Sequence, residues 1–304
     1  MKRDRFTVWC KKRICSVFPK ASPKLRRKIN SYRRFLIYGQ KGYEKETDFL
    51  RKNMPRLKNP NAVPLIPYEW IEEYTENENI NKLCRKDTGT KSFYLEHKGK
   101  RLYFPQTFGG KEAVNAYKQL LIEQDSRSPH KYYSETCNME DADVFVDVGC
   151  AEAIMSLEAV NQAETIIVVE GMQVWFDALK NTFRPYKNVD FIFKFAGGNG
   201  SDDSFISLDA ILHPYMEQGK RILIKMDVEG SEMSVLNGAR KALSYSGSRW
   251  ICAAYHKYGD FERISGLFRK HGYSIEKSDH YMFRYNPEQG DYFFTPGIIR
   301  AWKE

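Results

Sequence analysis

The sequence lacks the features that mark membrane, secreted and zinc-stabilised proteins. No apolar run approaches the roughly 18 residues that a membrane-spanning helix needs. The apolar segments FTVW and ICSVF near the N-terminus are too short for the core of a signal peptide. The six cysteines include no CxxC pair, the usual spacing of a zinc or redox motif. These absences predict a reduced, cytoplasmic protein without a structural zinc site.

Acidic residues are scarce at the start of the chain, where basic residues are abundant. Residues 1–60 hold 19 Lys or Arg and 4 Asp or Glu, whereas the whole chain has a net charge of +9. The rest of the chain is therefore net acidic, and an anionic partner should meet residues 1–60. One interpretation is peripheral contact with an anionic surface at the inner face of a membrane, or with a polyanionic glycan. The other is a solvated helix face without a partner.

Residues 1–127 are predicted to form a basic accessory region that caps the substrate. The first part has a helical pattern and ends in a proline-rich linker at residues 59–70. Residues 93–104, FYLEHKGKRLYF, alternate like a hairpin. Residues 109–124 follow the period of an amphipathic helix. The length of 304 residues allows such a region beside one larger domain.

From residue 144 onward, short apolar runs alternate with helical patterns. The runs are VFVDVG, TIIVVE, VDFIFKFA, RILIKMD and WICAAYH. Alternating strands and helices predict an α/β fold with a mostly parallel, doubly wound sheet. No helical pattern separates the last two apolar stretches, residues 273–285 and 292–302, which predicts a closing antiparallel hairpin. This outline is similar to the Rossmann-like fold of class I methyltransferases, and we place the catalytic domain at residues 128–304.

Four of the apolar runs lead into a polar residue: Asp147, Glu170, Asp227 or His256. In a parallel sheet all four would lie at the carboxyl edge, where doubly wound folds bind ligands. Buried carboxylates cost several kcal/mol unless they are paired, so a cationic, hydroxyl-rich ligand is expected there. Glu170 follows Asp147 by 23 residues, close to the roughly 20 expected for an acid that binds ribose hydroxyls.

The first turn, DVGCAEA at residues 147–153, contains one glycine and not the GxGxxG fingerprint of dinucleotide-binding proteins. A pyrophosphate needs free amides at a helix start, and Asp147 would repel it. A nicotinamide-dependent oxidoreductase is therefore disfavoured. A carboxylate here suits the amino group of a methionyl tail. The turn can also be purely structural, with the Asp147 carboxylate bonded to the local backbone.

Several segments resemble the FkbM-type S-adenosylmethionine-dependent methyltransferases. They are FVDVGCAEAIMSL, VVEG, SLDAIL and, most specifically, IKMDVEGSEMSVLNGA. The resemblance extends over about residues 128–300. It implies a class I methyltransferase fold, S-adenosyl-L-methionine as cofactor, and methyl transfer, usually to an oxygen of a sugar or natural-product scaffold. A role in polysaccharide biosynthesis is what the family suggests.

The resemblance also implies site residues, which match the family position by position. The predicted cofactor-binding residues are Asp147, Gly149, Cys150, Ala151, Glu170, Gly171 and Asp227. The residues that match the DVEG signature are Lys225, Asp227, Glu229, Gly230 and Glu232. The chain departs from the family at Ala153, where a second glycine is common. The extra methyl group can crowd the methionyl moiety, or a small shift of the helix start can accommodate it.

A sugar hydroxyl is a poor nucleophile, so we expect a general base that contributes roughly 10²–10⁴-fold to the rate. Asp227, His256 and Lys225 are the predicted catalytic residues. The first two orient or deprotonate the acceptor, and Lys225 contacts it unless its side chain merely extends to solvent. Asp227 and His256 can instead share a divalent cation. Two ligands are too few to argue a metal from sequence, so no metal site is predicted.

The other histidines are interpreted as structural, with one exception in SPHKYY at residues 128–133. This segment lies just before the first strand of the catalytic domain, where some methyltransferases place a segment over the cofactor.

The predicted function is S-adenosylmethionine-dependent O-methylation of a small-molecule or lipid-linked sugar. The alternative is a non-catalytic binding or scaffold protein that keeps the fold, for which Ala153 is the only support. No nucleic-acid partner is expected, because the sequence has no paired aromatic and basic reading surface and no NPPY-type motif.

Overall fold

The computed structural model describes residues 23–39, 41–53, 65–140, 142–197 and 202–303. These residues divide into two compact units. The smaller unit contains the described residues up to Trp70 together with Tyr281–Thr295. The larger unit contains Ile71–His280 and the residues from Pro296 onward. Parts of the predicted basic region and linker, residues 1–22 and 54–64, lie outside the described residues.

Helices and strands are numbered in chain order. The helices are α1 (Pro23–Tyr38), α2 (Glu44–Asn53), α3 (Glu72–Thr75), α4 (Glu78–Asn81), α5 (Gly110–Gln124), α6 (Ile154–Ala159), α7 (Phe176–Phe183), α8 (Leu208–Glu217), α9 (Glu232–Asn237), α10 (Arg240–Ser244) and α11 (Asp260–Lys270), with 3₁₀ turns at Glu69–Ile71 and Gln173–Trp175. In the described part of the chain, no helix is both long and apolar enough to cross a bilayer.

Among the described residues, the strands form one large sheet and three small ones. They are β1 (Cys84–Lys86), β2 (Phe93–His97), β3 (Lys100–Tyr103), β4 (Val144–Val148), β5 (Thr165–Val169), β6 (Val189–Ile192), β7 (Phe195–Ala196), β8 (Phe205–Ile206), β9 (Ile222–Met226), β10 (Ser248–Ala253), β11 (Ser274–Lys277), β12 (Met282–Asn286), β13 (Asp291–Thr295) and β14 (Ile298–Trp302).

The smaller unit is held together by aromatic packing between helix α1 and the hairpin β12–β13. Tyr32 and Phe35 are neighbours on one face of the helix and both are buried. The ring centroids of Phe35 and Phe283 are 4.8 Å apart, and those of Tyr32 and Tyr292 are 5.3 Å apart. Aromatic side chains bury a large apolar area each. The predicted helices of the basic region are therefore confirmed for α1 and α2.

The large sheet has the strand order β11-β14-β10-β9-β4-β5-β6. Strands β6, β5, β4, β9 and β10 are parallel, and β14 is antiparallel to β10 and β11. Within this sheet, β4 comes first in sequence. The chain continues outward through β5 and β6 and then returns to β9 on the other side of β4. This reversal is a topological switch point, where open α/β sheets bind ligands. The predicted α/β fold of a class I methyltransferase is confirmed.

The closing antiparallel hairpin is also present, with an insertion. β11 and β14 pair in the register Ser274↔Trp302 to Lys277↔Ile299. The hairpin β12–β13 lies between them in sequence and belongs to the smaller unit. The two apolar stretches seen in the sequence are therefore four strands, and only the first and last complete the large sheet.

The compact units do not divide at residues 127 and 128. The small sheet β1–β2–β3 and helix α5 belong to the same unit as the large sheet. Two polar contacts join the small sheet to helices α6 and α7. His97 Nε2 lies 2.7 Å from Glu158 Oε1, and the Tyr103 amide donates to Thr182 Oγ1 at 2.9 Å. The division into an accessory region and a catalytic domain at that point stays a prediction about function.

The alternation of side chains along the central strands separates one apolar core from the face that carries the two charged residues. Val144, Val146 and Val148 of β4 join one apolar core with Ile224 and Met226 of β9. Asp147 and Lys225 alternate with these residues and so lie on the other face. They are opposite each other in the parallel register of β4 and β9.

Candidate active site

A buried ion pair lies at the centre of the switch point. Lys225 Nζ lies 2.9 Å from Asp147 Oδ1, and the two side chains are only 6% and 1% exposed. Lys225 also donates to the carbonyl oxygen of Gly149 at 3.0 Å, and Ser156 Oγ donates to Asp147 Oδ2 at 2.8 Å. Burial lowers the pKa of the Lys225 ammonium, but the Asp147 and Asp227 carboxylates outweigh that effect and hold it above its usual value. Lys225 therefore remains charged and fixes the first turn to β9.

The first turn depends on a left-handed glycine. Gly149 has φ +68°, and a Cβ at this position would lie 2.0 Å from the carbonyl oxygen of Asp227. Gly149 therefore allows the first turn to lie directly against the backbone that follows β9. Ala151 and Ala153 also have left-handed φ values, +44° and +55°. Such conformations cost on the order of 1–3 kcal/mol each for residues with a Cβ.

The left-handed backbone explains why a glycine suits the position of Ala153. The Ala153 side chain is buried, and it is not among the described residues that line the neighbouring cavity. Its methyl group therefore strains the turn and does not narrow the cavity.

Glu170 joins the first turn to the second. It follows β5 directly, and its side chain accepts from the Ala151 amide at 3.0 Å and the Met172 amide at 2.7 Å. Each carboxylate oxygen has two lone pairs, so both oxygens of Glu170 can accept a further hydrogen bond. The adjacent Gly171 has no space for a side chain, because a Cβ there would lie 2.3 Å from the Phe195 ring. Phe195 is 45% exposed and can offer its ring to a ligand.

Asp227 is the centre of a second polar cluster. Tyr132 donates to Asp227 Oδ2 at 2.7 Å, and His130 Nε2 lies 3.3 Å from the same oxygen. His256 Nε2 lies 3.4 Å from the other oxygen, Oδ1. Burial raises the pKa of the Asp227 carboxyl, but His130 as donor and the charges of His130, His256 and Lys225 outweigh it and hold the pKa well below its usual range. Asp227 is therefore a stable carboxylate.

The segment SPHKYY contributes to this cluster more directly than the sequence indicated. His130 is buried, and its Nε2 lies 3.0 Å from the hydroxyl of Tyr255 as well as near Asp227. The Tyr132 ring also lies under the Lys225 ammonium, 5.1 Å from the ring centroid. The signal in the sequence was a His and a Tyr close before β4, the first strand of the large sheet. Their target, Asp227, lies 95 residues away from Tyr132 in sequence.

The two glutamates of VEGSE have different surroundings. Glu229 has φ +52° and a side chain that is 87% exposed. Glu232 is 1% exposed, lies 2.8 Å from His256 Nδ1, and accepts from the amides of Val228 and Gly230, both at 3.2 Å. Ser231 precedes helix α9, as the sequence suggested, but its side chain makes no capping hydrogen bond.

A cavity of about 500 Å³ brings these groups together. This volume lies within the usual range for small-molecule sites. The predicted residues that line it are Asp147, Gly149, Cys150, Ala151, Glu170, Gly171, Lys225, Asp227 and Glu229. His256 is not among its lining residues and lies behind Asp227. The sequence did not indicate that Glu123 and Glu152 would line it. Burial raises the pKa of the Glu152 carboxyl to about 7.

The Gly149 turn can be tested with a matched pair of variants. Gly149→Ala adds both a left-handed Cβ and a clash with the Asp227 carbonyl. Gly219→Ala adds a left-handed Cβ without a clash, because Gly219 has φ +70° and a Cβ there would meet no atom within 4 Å. We expect Gly219→Ala to lower the melting temperature by about 2–4 °C and Gly149→Ala to lower it at least twice as much. Equal shifts would contradict the close approach.

The ion pair can be tested by removing one charge and then both. Lys225→Met leaves Asp147 buried without its counter-ion, which should cost about 3–5 kcal/mol of unfolding free energy. Adding Asp147→Asn removes the unpaired buried charge. The double variant should therefore recover at least half of the lost unfolding free energy, measured by urea denaturation. A double variant as unstable as Lys225→Met alone would show that the loss comes from packing and not from charge.

Residues 156–275 match the family described as Methyltransferase FkbM domain. This segment includes the DVEG signature but starts after the first turn, so it is shorter than the resemblance noted in the sequence. No curated protein sequence matches the chain significantly.

Similar solved structures include methyltransferase FkbM from Methylobacillus flagellatus KT, at 17% identity and a TM-score of 0.42, over 89% of this chain and 65% of that chain. The present chain thus spans less than two thirds of that protein. Precorrin-6y C5,15-methyltransferase from Geobacter metallireducens GS-15 follows at 19% identity and a TM-score of 0.36, over 54% and 81% of the two chains. An rRNA methylase from Streptococcus thermophilus has 14% identity and a TM-score of 0.33, over 54% and 87%.

These structural likenesses are too distant to inform on substrate. The family match and the strand order agree independently on the class of protein. Residues 156–275 therefore match a methyltransferase domain of the FkbM type, within a sheet that has the strand order of class I methyltransferases.

Proposed function

We propose that this protein uses S-adenosyl-L-methionine to O-methylate a sugar hydroxyl in glycan or polysaccharide biosynthesis. The observation that carries the proposal is the position of two carboxylates, Glu170 and Asp227, in one cavity at the switch point of the FkbM-type domain. One carboxylate suits the ribose of the cofactor, and the other suits the hydroxyl of an acceptor.

The residues present fit S-adenosylmethionine. Glu170 has lone pairs for two ribose hydroxyls and already holds the two turns that would flank them. Phe195 and Trp175 line the cavity near Gly171 and offer apolar surface for an adenine ring. The methionyl amino group would share Asp147 with Lys225, because that carboxylate is already paired. When bound, the cofactor supplies an activated methyl group on a sulfonium.

The protein's own residues would then position the acceptor. Asp227 keeps its charge, and its Oδ1 is buried without a hydrogen-bond partner among the described residues, whereas Oδ2 is held by Tyr132. A hydroxyl that donates to Oδ1 would be oriented for in-line attack, and positioning accounts for much of the rate of such displacements. His256 Nε2 lies 3.4 Å from the same oxygen and is the second group that can hold the acceptor or take up its proton.

The alternative of a non-catalytic scaffold is not favoured by any observation. It depended on Ala153, which does not line the cavity. The acceptor that we propose is a small-molecule or lipid-linked sugar. A contact of residues 1–60 with an anionic membrane surface is proposed on charge alone, since residues 1–22 lie outside the described part of the chain.

Cofactor binding is tested by calorimetric titration with S-adenosylmethionine and, separately, S-adenosylhomocysteine. Glu170→Gln removes the ionised acceptor of the ribose hydroxyls, worth about 1.5–3 kcal/mol, so affinity should fall roughly 10–100-fold. The control is Glu217→Gln on α8, whose side chain is 72% exposed. Unchanged affinity in Glu170→Gln would contradict the assigned role. A folded wild-type protein that binds neither compound at millimolar concentration would favour the scaffold alternative.

The acceptor site is tested by methyl transfer from labelled cofactor to nucleotide-linked and lipid-linked sugars. Asp227→Asn and His256→Asn should each lower turnover by roughly 10²–10⁴-fold and leave cofactor affinity within a few-fold of wild type. Matched controls are Asp190→Asn on strand β6 and His213→Asn on helix α8, both of which do not line the cavity. Full activity in both site variants would exclude this role.

A further inference from the structure

We propose that Asp227, Glu229 and His256 form a binding site for one divalent cation beside the cofactor cavity. One ligand atom from each residue lies within 4.8 Å of the others. The three come from different positions, since Asp227 and Glu229 follow β9 and His256 follows β10. The chemical role of the cation rests on the proposed O-methyl transfer, but its binding does not.

His256 is prepared to act as a ligand. Its side chain is only 3% exposed, and Nδ1 lies 2.8 Å from the buried Glu232 carboxylate. In many metal-binding histidines a carboxylate beside one ring nitrogen favours a proton there, and the other nitrogen binds the metal. Neither ring nitrogen of His256 has a hydrogen-bond partner among the described residues. Nε2 faces Asp227 Oδ1 and Glu229 Oε2, so it can bind an ion held between them.

Three acceptor atoms converge on one space. His256 Nε2 lies 3.4 Å from Asp227 Oδ1 and 3.4 Å from Glu229 Oε2. Asp227 Oδ1 also has no hydrogen-bond partner among the described residues. The lone pairs of the two buried atoms, Asp227 Oδ1 and His256 Nε2, repel unless a positive charge lies between them. The charge can be a proton on Nε2 or a metal ion, and the second fits the open side of the cluster.

The spacing suits a metal ion. Neighbouring ligands on a six-coordinate ion with bonds of about 2.0–2.6 Å are roughly 2.8–3.7 Å apart. Both 3.4 Å separations fall in this range. Two carboxylates and one imidazole suit Mn²⁺, and also Fe²⁺ or Zn²⁺, better than Ca²⁺. Three protein ligands leave coordination positions open, which is the pattern of a catalytic site.

The backbone of Glu229 supports the assignment. A left-handed conformation at a residue with a side chain costs on the order of 1–3 kcal/mol and concentrates at functional sites. Glu229 adopts it, with φ +52°, and its carboxylate reaches back to a buried imidazole although 87% of the side chain is exposed. The exposed side leaves space for water or an acceptor oxygen at the ion.

With the cation bound at Asp227 Oδ1, the acceptor hydroxyl would bind the ion in place of a direct hydrogen bond to that oxygen, and the ion would prepare it for transfer. A sugar hydroxyl on the ion loses its proton more readily, because a bound cation lowers the pKa of an oxygen ligand. The proton passes to solvent, the acceptor oxygen bonds to the methyl carbon, and the carbon–sulfur bond breaks, so that the sulfonium becomes a neutral thioether. The cation itself is unchanged.

The site is tested by Mn²⁺ binding to chelator-treated, full-length protein, followed by electron paramagnetic resonance. We expect one tightly bound Mn²⁺ per chain, with a nitrogen coupling in the pulsed spectrum that comes from His256. Glu229→Gln should weaken binding at least 10-fold without harming the fold, because the side chain is exposed. Glu217→Gln is the matched control.

The outcomes separate the site from the proposed function. The site is overturned if the wild-type protein binds no Mn²⁺ at millimolar concentration, or if Glu229→Gln binds as tightly as the control. Tight binding with nitrogen coupling supports it even if no sugar acceptor is methylated, a result that would count against the proposed function alone. Methyl transfer that is unaffected both by chelator and by Glu229→Gln would overturn the catalytic role of the cation.

Discussion

The Asp147–Lys225 ion pair is the constraint on which the rest of the site depends. Two buried charges in adjacent parallel strands are stable only as partners, and each has one more contact that shapes the first turn. Lys225 holds the carbonyl of Gly149, and Ser156 of α6 holds the second oxygen of Asp147. The pair therefore fixes strand β9 to the turn that follows β4. It also brings Asp227 to the cavity, because Asp227 lies two residues beyond Lys225.

The same pair sets the charge of the neighbouring cluster. Six carboxyl groups line the cavity, and three of them, on Asp147, Glu170 and Asp227, directly follow or belong to the central strands. Without compensation, so many buried anions would protonate or exclude one another. Lys225 neutralises the first, two loop amides hold the second, and Tyr132 and His130 stabilise the third. Each carboxylate is thus compensated by different partners, and each retains some capacity for a ligand.

The sequence predicted the order of strands and helices and the polar residues at the strand ends, because both are local patterns. It did not predict that Lys225 would pair with Asp147. That contact depends on the return of the chain to β9 beside β4, which brings together residues 76 or more positions apart. His130 and Tyr132 were likewise noticed only as a segment near the domain, since no local pattern indicates contact with Asp227. The inserted hairpin β12–β13 was not predicted, because in the sequence its apolar residues form single stretches with those of β11 and β14.

Each residue of the DVEG signature has a distinct place in the structure. Asp227 faces the cavity, Val228 and Gly230 direct their amides to Glu232, and Glu229 takes a strained conformation that returns its carboxylate to His256. A simple strand-to-helix turn needs neither the strain at Glu229 nor a buried Glu232. Both features serve His256, one on each ring nitrogen. A short motif on one loop thus places carboxylates beside both ring nitrogens of a histidine that the next strand supplies.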